Sequence, residues 1–176
     1  MRFFRRIFDR SRVEAYCGPT TVYHIVAEIL PWLLFLVTSI VLLALWSRIP
    51  DQIPMHADFH GNVNGWGGKG SLLAIGGVYF GMNLLLWIIG YFPQSWNNGV
   101  RINSTGLRRD NSVRGYRLTR DLLCDLRISM AILFSGTMLW TAFGDLSRFP
   151  VWINAGIWIL LLVPLARYLI RMFLLK

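Results

Sequence analysis

The chain has 176 residues, of which 55% are hydrophobic and 14% aromatic, and a formal net charge of +9. It is too apolar for an ordinary soluble domain and too short for several domains. The positive charge gathers beside apolar runs, as in a membrane topology signal, so nucleic acid is not needed to explain it.

From the amino terminus, Phe3, Phe4, Ile7 and Phe8 alternate with arginines at helical spacing over Met1–Arg12. That pattern suits either a short helix lying in the headgroup layer or a basic tail. Gly18-Pro19 makes a turn, and a new helix can start at Thr20 or Thr21. His24 and Glu28 fall four apart and are expected to pair. Pro31 lies inside the first apolar run. A span takes about 20 apolar residues, and four stretches qualify: 27–46, 72–92, 126–144 and 151–170. The first is not a cleavable signal, because its preceding segment is long and no small-x-small site follows it. Helix two carries Gly77-x-x-x-Gly81, a spacing that lets helix backbones approach closely. Asn83, near mid-membrane, is expected to hydrogen-bond to a neighbouring helix, and Asn154 and Pro164 in the fourth run read the same way.

Between helices two and three, residues 93–125 form a basic loop that becomes helical after a cap at Asn111 or Ser112. Arg117 and Asp121 sit four apart there. Asn103-Ser104-Thr105 fits a glycosylation sequon but falls on the inner side. Nearly all lysines and arginines lie before the first span, in this loop with the start of helix three, or in the tail; Arg48, Lys69 and Arg148 are the exceptions. Positive residues mark the cytoplasmic face. Both termini are therefore expected inside, with anionic lipid headgroups as partner. Cys17 and Cys124 fall on that reducing side, which argues against a disulfide.

The loop 47–71 is the polar exception. In it, "IPMHADFHGNVNGWGGKG" runs from Ile53 to Gly70. Pro50 and Pro54 hold it extended. Alternation over Met55–Phe59 predicts a strand with His56 and Asp58 on one face. Gly61-Asn62 and Asn64-Gly65 are turn pairs, and Trp66 suits the outer interface. A small hairpin-like cap on the outer mouth of the bundle follows, with His56, Asp58, Asn64, Trp66 and Lys69 expected to form one hydrogen-bonded group. His56, Asp58 and His60 have donors suited to zinc, but alternate spacing alone does not specify a site, and no metal ligand is assigned. His56 with Asp58 resembles part of a hydrolytic dyad; no serine or cysteine nucleophile is placed for it, so no catalytic residue is assigned.

This motif resembles a bacterial membrane domain of unknown function, DUF1648-type, found in the SdpI-type toxin-immunity proteins. The family pattern is Pro-x-His-x-(Asn/Asp)-x-x-Gly-x-x-(Asp/Asn)-x-(Trp/Tyr)-x-x-Lys. Pro54, His56, Asp58, Gly61, Asn64, Trp66 and Lys69 fill it in register, and His60 is not part of it. The inner "NNGVRIN" and "NSVRGYRLTR" are similar to the family's inner segment, with Gly99 where proline is usual. The resemblance implies extracytoplasmic ligand recognition, such as immunity to a peptide toxin or signalling. It does not carry immunity over directly, because the immunity proteins have additional helices.

The sequence therefore predicts one all-α membrane domain over 1–176, with four spans and an extracytoplasmic polar cap. The expected function is a non-enzymatic sensor or immunity protein whose ligand-binding residues are His56, Asp58, Asn64, Trp66 and Lys69, with no cofactor. Expected partners are lipids, an extracytoplasmic peptide and a second copy of the chain. A small oligomeric transporter or channel is the alternative, and a metal-dependent membrane enzyme the third reading.

Overall fold

The computed structural model describes residues 9–58, 60–93, 109–144 and 151–174. Outside them lie the start of the amino-terminal segment, Phe59, the turns and sequon between Asn97 and Gly106, and Arg148. The described chain runs α1 (Arg10–Cys17), α2 (Val22–Ala44), a 3-10 turn (Trp46–Arg48), β1 (Gln52–Ala57), β2 (Val63–Gly68), α3 (Ser71–Gly90), α4 (Arg109–Phe143) and α5 (Val151–Phe173). The protein is mostly helical with one two-stranded sheet, so the cap departs from an all-α description.

Asp9 starts α1 by accepting from Ser11 N at 3.0 Å, and the helix ends at Gly18. Thr21 then caps α2. Its N–H donates to His24 Nδ1 at 3.1 Å, so a histidine does what a Glu or Gln does in the usual capping box. Because Nδ1 accepts that bond, Nε2 carries the hydrogen that His24 gives to Asp121 Oδ1 at 2.9 Å. His24 therefore pairs with Asp121 on α4. The four-residue spacing to Glu28 does not decide its partner, and Asp121 is likewise engaged away from Arg117. Tyr23 donates to Asp125 alongside.

α2 starts earlier than the apolar run that announces it, because the cap at Thr21 sets its beginning. α4 starts at Arg109 and runs unbroken into the third apolar stretch, so the inner basic helix and the span are one rod. Among the described residues three helices are long and apolar enough to cross a membrane: Val22–Ala44, Ser71–Gly90 and, within α4, Val113–Phe143.

α4 is the hub and packs on α1, α2, α3, α5 and β1. Arg120, Cys124, Arg127, Ala131, Ser135, Met138 and Ala142 are buried at three- and four-residue steps along it, the stripe of a core-facing helix. Several are small, which lets α2 and α3 approach. Tyr79 of α3 stacks on Phe134 with ring centroids 5.4 Å apart, and its hydroxyl donates to Pro31 O at 2.9 Å. Arg127 donates to Glu28 O at 3.3 Å. Near Pro31, which brings no N–H to the helix ladder, the carbonyls of Glu28 and Pro31 itself accept from side chains of neighbouring helices. Gly77 and Gly81 face open space, so the glycine spacing in α3 is not used for packing within this chain. Outward from the core, α2 exposes Ile29, Leu33, Leu36, Ile40 and Leu43, and α3 exposes Leu73, Phe80 and Leu85.

Asn83 bonds across helices as its position suggested: Arg127 Nε donates to Asn83 Oδ1 at 3.0 Å. Asn83→Ala removes a buried acceptor from a charged donor and is expected to destabilise the protein by about 1–3 kcal/mol. Asn83→Ala with Arg127→Met should recover part of that loss, because both ends of the bond go together. Thermal melting in detergent measures both, and a double mutant as unstable as the sum of the singles contradicts the pairing.

Candidate functional site

The hairpin is anchored by apolar residues and capped by polar ones. Ile49, Ile53 and Leu72 enter the same buried cluster as Leu42 and Met138. β1 pairs antiparallel with β2, with Gln52 opposite Gly68, Pro54 opposite Trp66, and His56 opposite Gly65. The register shifts between Pro54 and His56 and again before Ala57. Pro54 has no N–H for the ladder, and the irregularity breaks the expected alternation. Ile53 and Pro54 are both buried, while Met55 and His56 are both exposed. Gly65 is required here, because a Cβ on it would lie 2.9 Å from His56 Cβ.

Four of the five sequence-predicted residues fall into three local arrangements among the described residues, not one network, and Trp66 joins none of them. His56 Nδ1 and Asn64 Oδ1 form a hydrogen bond across the strands; the amide oxygen accepts, so Nδ1 carries the hydrogen. Asp58 organises the turn. Its Oδ1 accepts from His60 N at 2.9 Å and Asn62 N at 2.8 Å, and its Oδ2 from Asn62 Nδ2 at 3.0 Å. These donors hold the carboxyl below its ordinary pKa, with Asn62 contributing most. Gly61 follows with φ 84°, left-handed geometry that glycine adopts freely. Lys69 closes the base. Its Nζ lies 2.9 Å from Asp51 and 5.9 Å from the Trp46 ring centroid, and its N–H donates to Asp51 O at 3.0 Å. Lys69 in turn lowers the Asp51 pKa. Trp66 stands half-exposed against Pro54.

Under β1 is a half-open cavity of about 250 Å³ bounded by Pro54, Met55, His56, Ala57, Ile75, Thr137 and Thr141. Thr137 and Thr141 donate to carbonyls of their own helix, at 2.7 Å to Leu133 O and 2.7 Å to Thr137 O. Their hydroxyls keep lone pairs for a guest donor. The cavity is thus mostly apolar, with an imidazole and two hydroxyls on its wall, a pattern typical of small-ligand sites. Of the five expected residues, His56 alone bounds it. Met55, Ile75, Thr137 and Thr141 were not singled out by sequence, since only the fold brings α4 under the hairpin. Among the described residues no three of His, Cys, Asp and Glu converge as metal ligands.

His56→Ala and Asn64→Ala are each expected to lower the melting temperature, with the double mutant losing clearly less than the sum. His56→Ala with Asp58→Ala should be additive, because they share no partner. Asp58 has a depressed pKa, so its contribution is present above the ordinary value of 3.8 and is lost as pH falls through the lowered one. Melting against pH in Asp58→Asn should therefore lose part of the acid limb seen in the wild type. An unchanged limb contradicts this account.

Comparison with curated proteins and with solved structures gives no match. A family model does match, over residues 33–78. Its segment takes in the later turns of α2, the whole hairpin and the start of α3, and so every one of the five expected residues. The matching model is that of a domain of unknown function, DUF1648.

Proposed function

We propose that this is a non-enzymatic, multi-pass protein of the bacterial cytoplasmic membrane that receives an extracytoplasmic ligand, such as a peptide, in the cavity under its hairpin. The cavity beneath β1 carries this reading. The membrane setting is supported by the exposed apolar faces of α2 and α3, which are far larger than a soluble monomer presents. We count α5 as the fourth span. The arginines of α1 and of the first half of α4 lie at the end opposite the hairpin, so the positive-inside rule puts the hairpin outside and both termini inside. The resemblance to SdpI-type immunity proteins agrees with a role in sensing or immunity.

A transporter or channel needs a polar path through the bundle. About 15 Å of α4 separates Arg127 from Thr137, and Ala131 and Phe134 pack there against Tyr79. Packed rings there narrow the path, although Ser129 and Ser135 of the same stretch are buried polar groups, so the cavity under the hairpin and not this layer favours a receptor.

Sidedness is tested with single cysteines in a Cys17→Ser/Cys124→Ser background. In whole cells, Asn62→Cys should react with an impermeant maleimide and Leu174→Cys should not; the reverse labelling overturns the orientation. Ligand reception is tested by challenging cells with synthetic cationic amphipathic peptides. Cells making the wild type should survive better than cells lacking the protein. Ala57→Trp, which fills the cavity, should abolish that protection while leaving the melting temperature close to wild type. Full protection by this variant contradicts the reading.

A further inference from the structure

At the opposite end from the hairpin, guanidinium groups outnumber the carboxylates placed to meet them. Arg120 is 6% exposed and Arg127 4%. Arg120 Nη2 donates to Thr20 Oγ1 at 3.1 Å, while its buried Nη1 has no partner among the described residues. Arg127 is satisfied by uncharged acceptors, Asn83 Oδ1 and Glu28 O. The carboxylate of Glu28 is already taken by Arg10 at 2.5 Å, with the Tyr91 hydroxyl at 3.5 Å. The nearby Asp121 is held by His24, and Asp125 by Tyr23 and Arg167. A small pocket of about 30 Å³ lies between Arg10, Glu28, Arg120 and Arg127, with room for one or two oxygen atoms. It shares Arg10, Glu28, Trp87 and Tyr91 with an open groove of about 510 Å³ whose other walls are Ile29, Trp32, Leu33 and Leu36.

We infer that this is a binding site for an acidic glycerophospholipid of the inner leaflet. A phosphate oxygen enters the arginine pocket and accepts from Arg120 Nη1, and an acyl chain lies along Trp32, Leu33 and Leu36. The pocket and the groove are continuous, as headgroup and chain are. A buried guanidinium nitrogen without an acceptor is costly, and a phosphate oxygen removes that cost with a charge-assisted bond. Basic pockets between membrane helices on the cytoplasmic side recognise anionic headgroups in this way. A zwitterionic lipid brings a cation back toward the arginines, so net negative charge is selected. The inference rests on the proposed membrane placement and orientation and is independent of what binds under the hairpin.

The full-length protein, purified in an uncharged detergent, is titrated with dioleoylphosphatidylglycerol, dioleoylphosphatidylcholine, glycerol 3-phosphate or inorganic phosphate. Native mass spectrometry reads the bound lipid and thermal melting reads the shift. One phosphatidylglycerol should be retained and should raise the melting temperature, with phosphatidylcholine and the two soluble phosphates much weaker. Arg120→Gln should bind phosphatidylglycerol about tenfold more weakly, the factor that one charge-assisted bond carries. Its lipid-free melting temperature should not fall, since an unpaired buried charge has gone; a merely structural arginine predicts a fall. Leu33→Trp, at a half-exposed position, should block the groove and lose lipid retention with the fold intact. Should Arg120→Gln not fold, Leu33→Trp and the lipid selectivity decide. Equal binding of the two lipids, an equal shift from inorganic phosphate, or full retention in Leu33→Trp overturns the proposal. An inverted or soluble protein shows itself separately, in the maleimide labelling and in fractionation.

Discussion

Arg127 ties three helices of the bundle together through a single buried guanidinium. Its guanidinium is almost fully buried, and a charge taken from water is tolerated only where its hydrogens find acceptors. Those acceptors come from two other helices, Asn83 on α3 and the Glu28 carbonyl on α2. Side chains of this geometry fix relative rotation and height as well as distance. The stripe of α4 that carries Arg127 is otherwise made largely of Cys, Ala, Ser and Met, so the neighbours can come close enough to reach it. Asn83 must turn its oxygen to the arginine, and its amide nitrogen is then left without a partner. That orphan is the consequence of using an amide as a one-sided acceptor in a dry place.

The same logic explains why the polar hairpin stands where it does. A two-stranded sheet is marginal on its own in water. Here Ile49 and Ile53 tie it to the core formed by Leu42, Leu72 and Met138, and Lys69 clamps its base to Asp51 and Trp46. Apolar anchors at the bottom leave the tip free to be polar, so Asp58 can spend its oxygens on turn amides and His56 can sit at a cavity edge. Burial behaves differently again at Cys17, where desolvation pushes the thiol up to about 12. That thiol is a packing group, in keeping with its place under α4 and not with redox chemistry.

How much of this was legible in the sequence depends on the range of the interaction. Apolar length gave α2, α3 and the second half of α4, and the turn pair Gly61-Asn62 with spaced polar residues gave the hairpin, whereas the second expected turn pair, Asn64-Gly65, lies inside β2. Local capping was legible too, at Thr21. What was not legible was any contact between residues far apart in the chain. His24 and Asp121 are separated by 97 positions, whereas His24 and Glu28 are four apart, and only the packing of α2 on α4 decides between them. Arg127 reads as one more inner-side arginine by charge count. Its burial becomes visible only when Arg120, Cys124, Ala131 and Ser135 are recognised as the same face of one continuous helix. At the hairpin, alternation suggested that His56 and Asp58 work together. The register shifts twice around His56 and β1 ends at Ala57, so His56 meets Asn64 across the strands while Asp58 meets the amides of the turn.

The two ends of the bundle thus have opposite chemistry and share one rigid element. At the arginine end α4 meets α1 and the start of α2; at the other end Thr137 and Thr141 line the wall beneath the hairpin. Between them Tyr79 and Phe134 stack with Ala131 and Met138 beside them. A packed layer of this kind transmits displacement because it has little slack to absorb it. A guest that touches α4 and β1 together can therefore be felt at the arginines only by moving α4 as a body, and only to the extent that it favours one position of α4 over another. The tie from Arg127 to Asn83 and Glu28 opposes such movement directly. Any signal carried across this bundle must work against that hydrogen-bonded clasp, which makes the clasp the place where the stability of the fold and a response to a ligand compete.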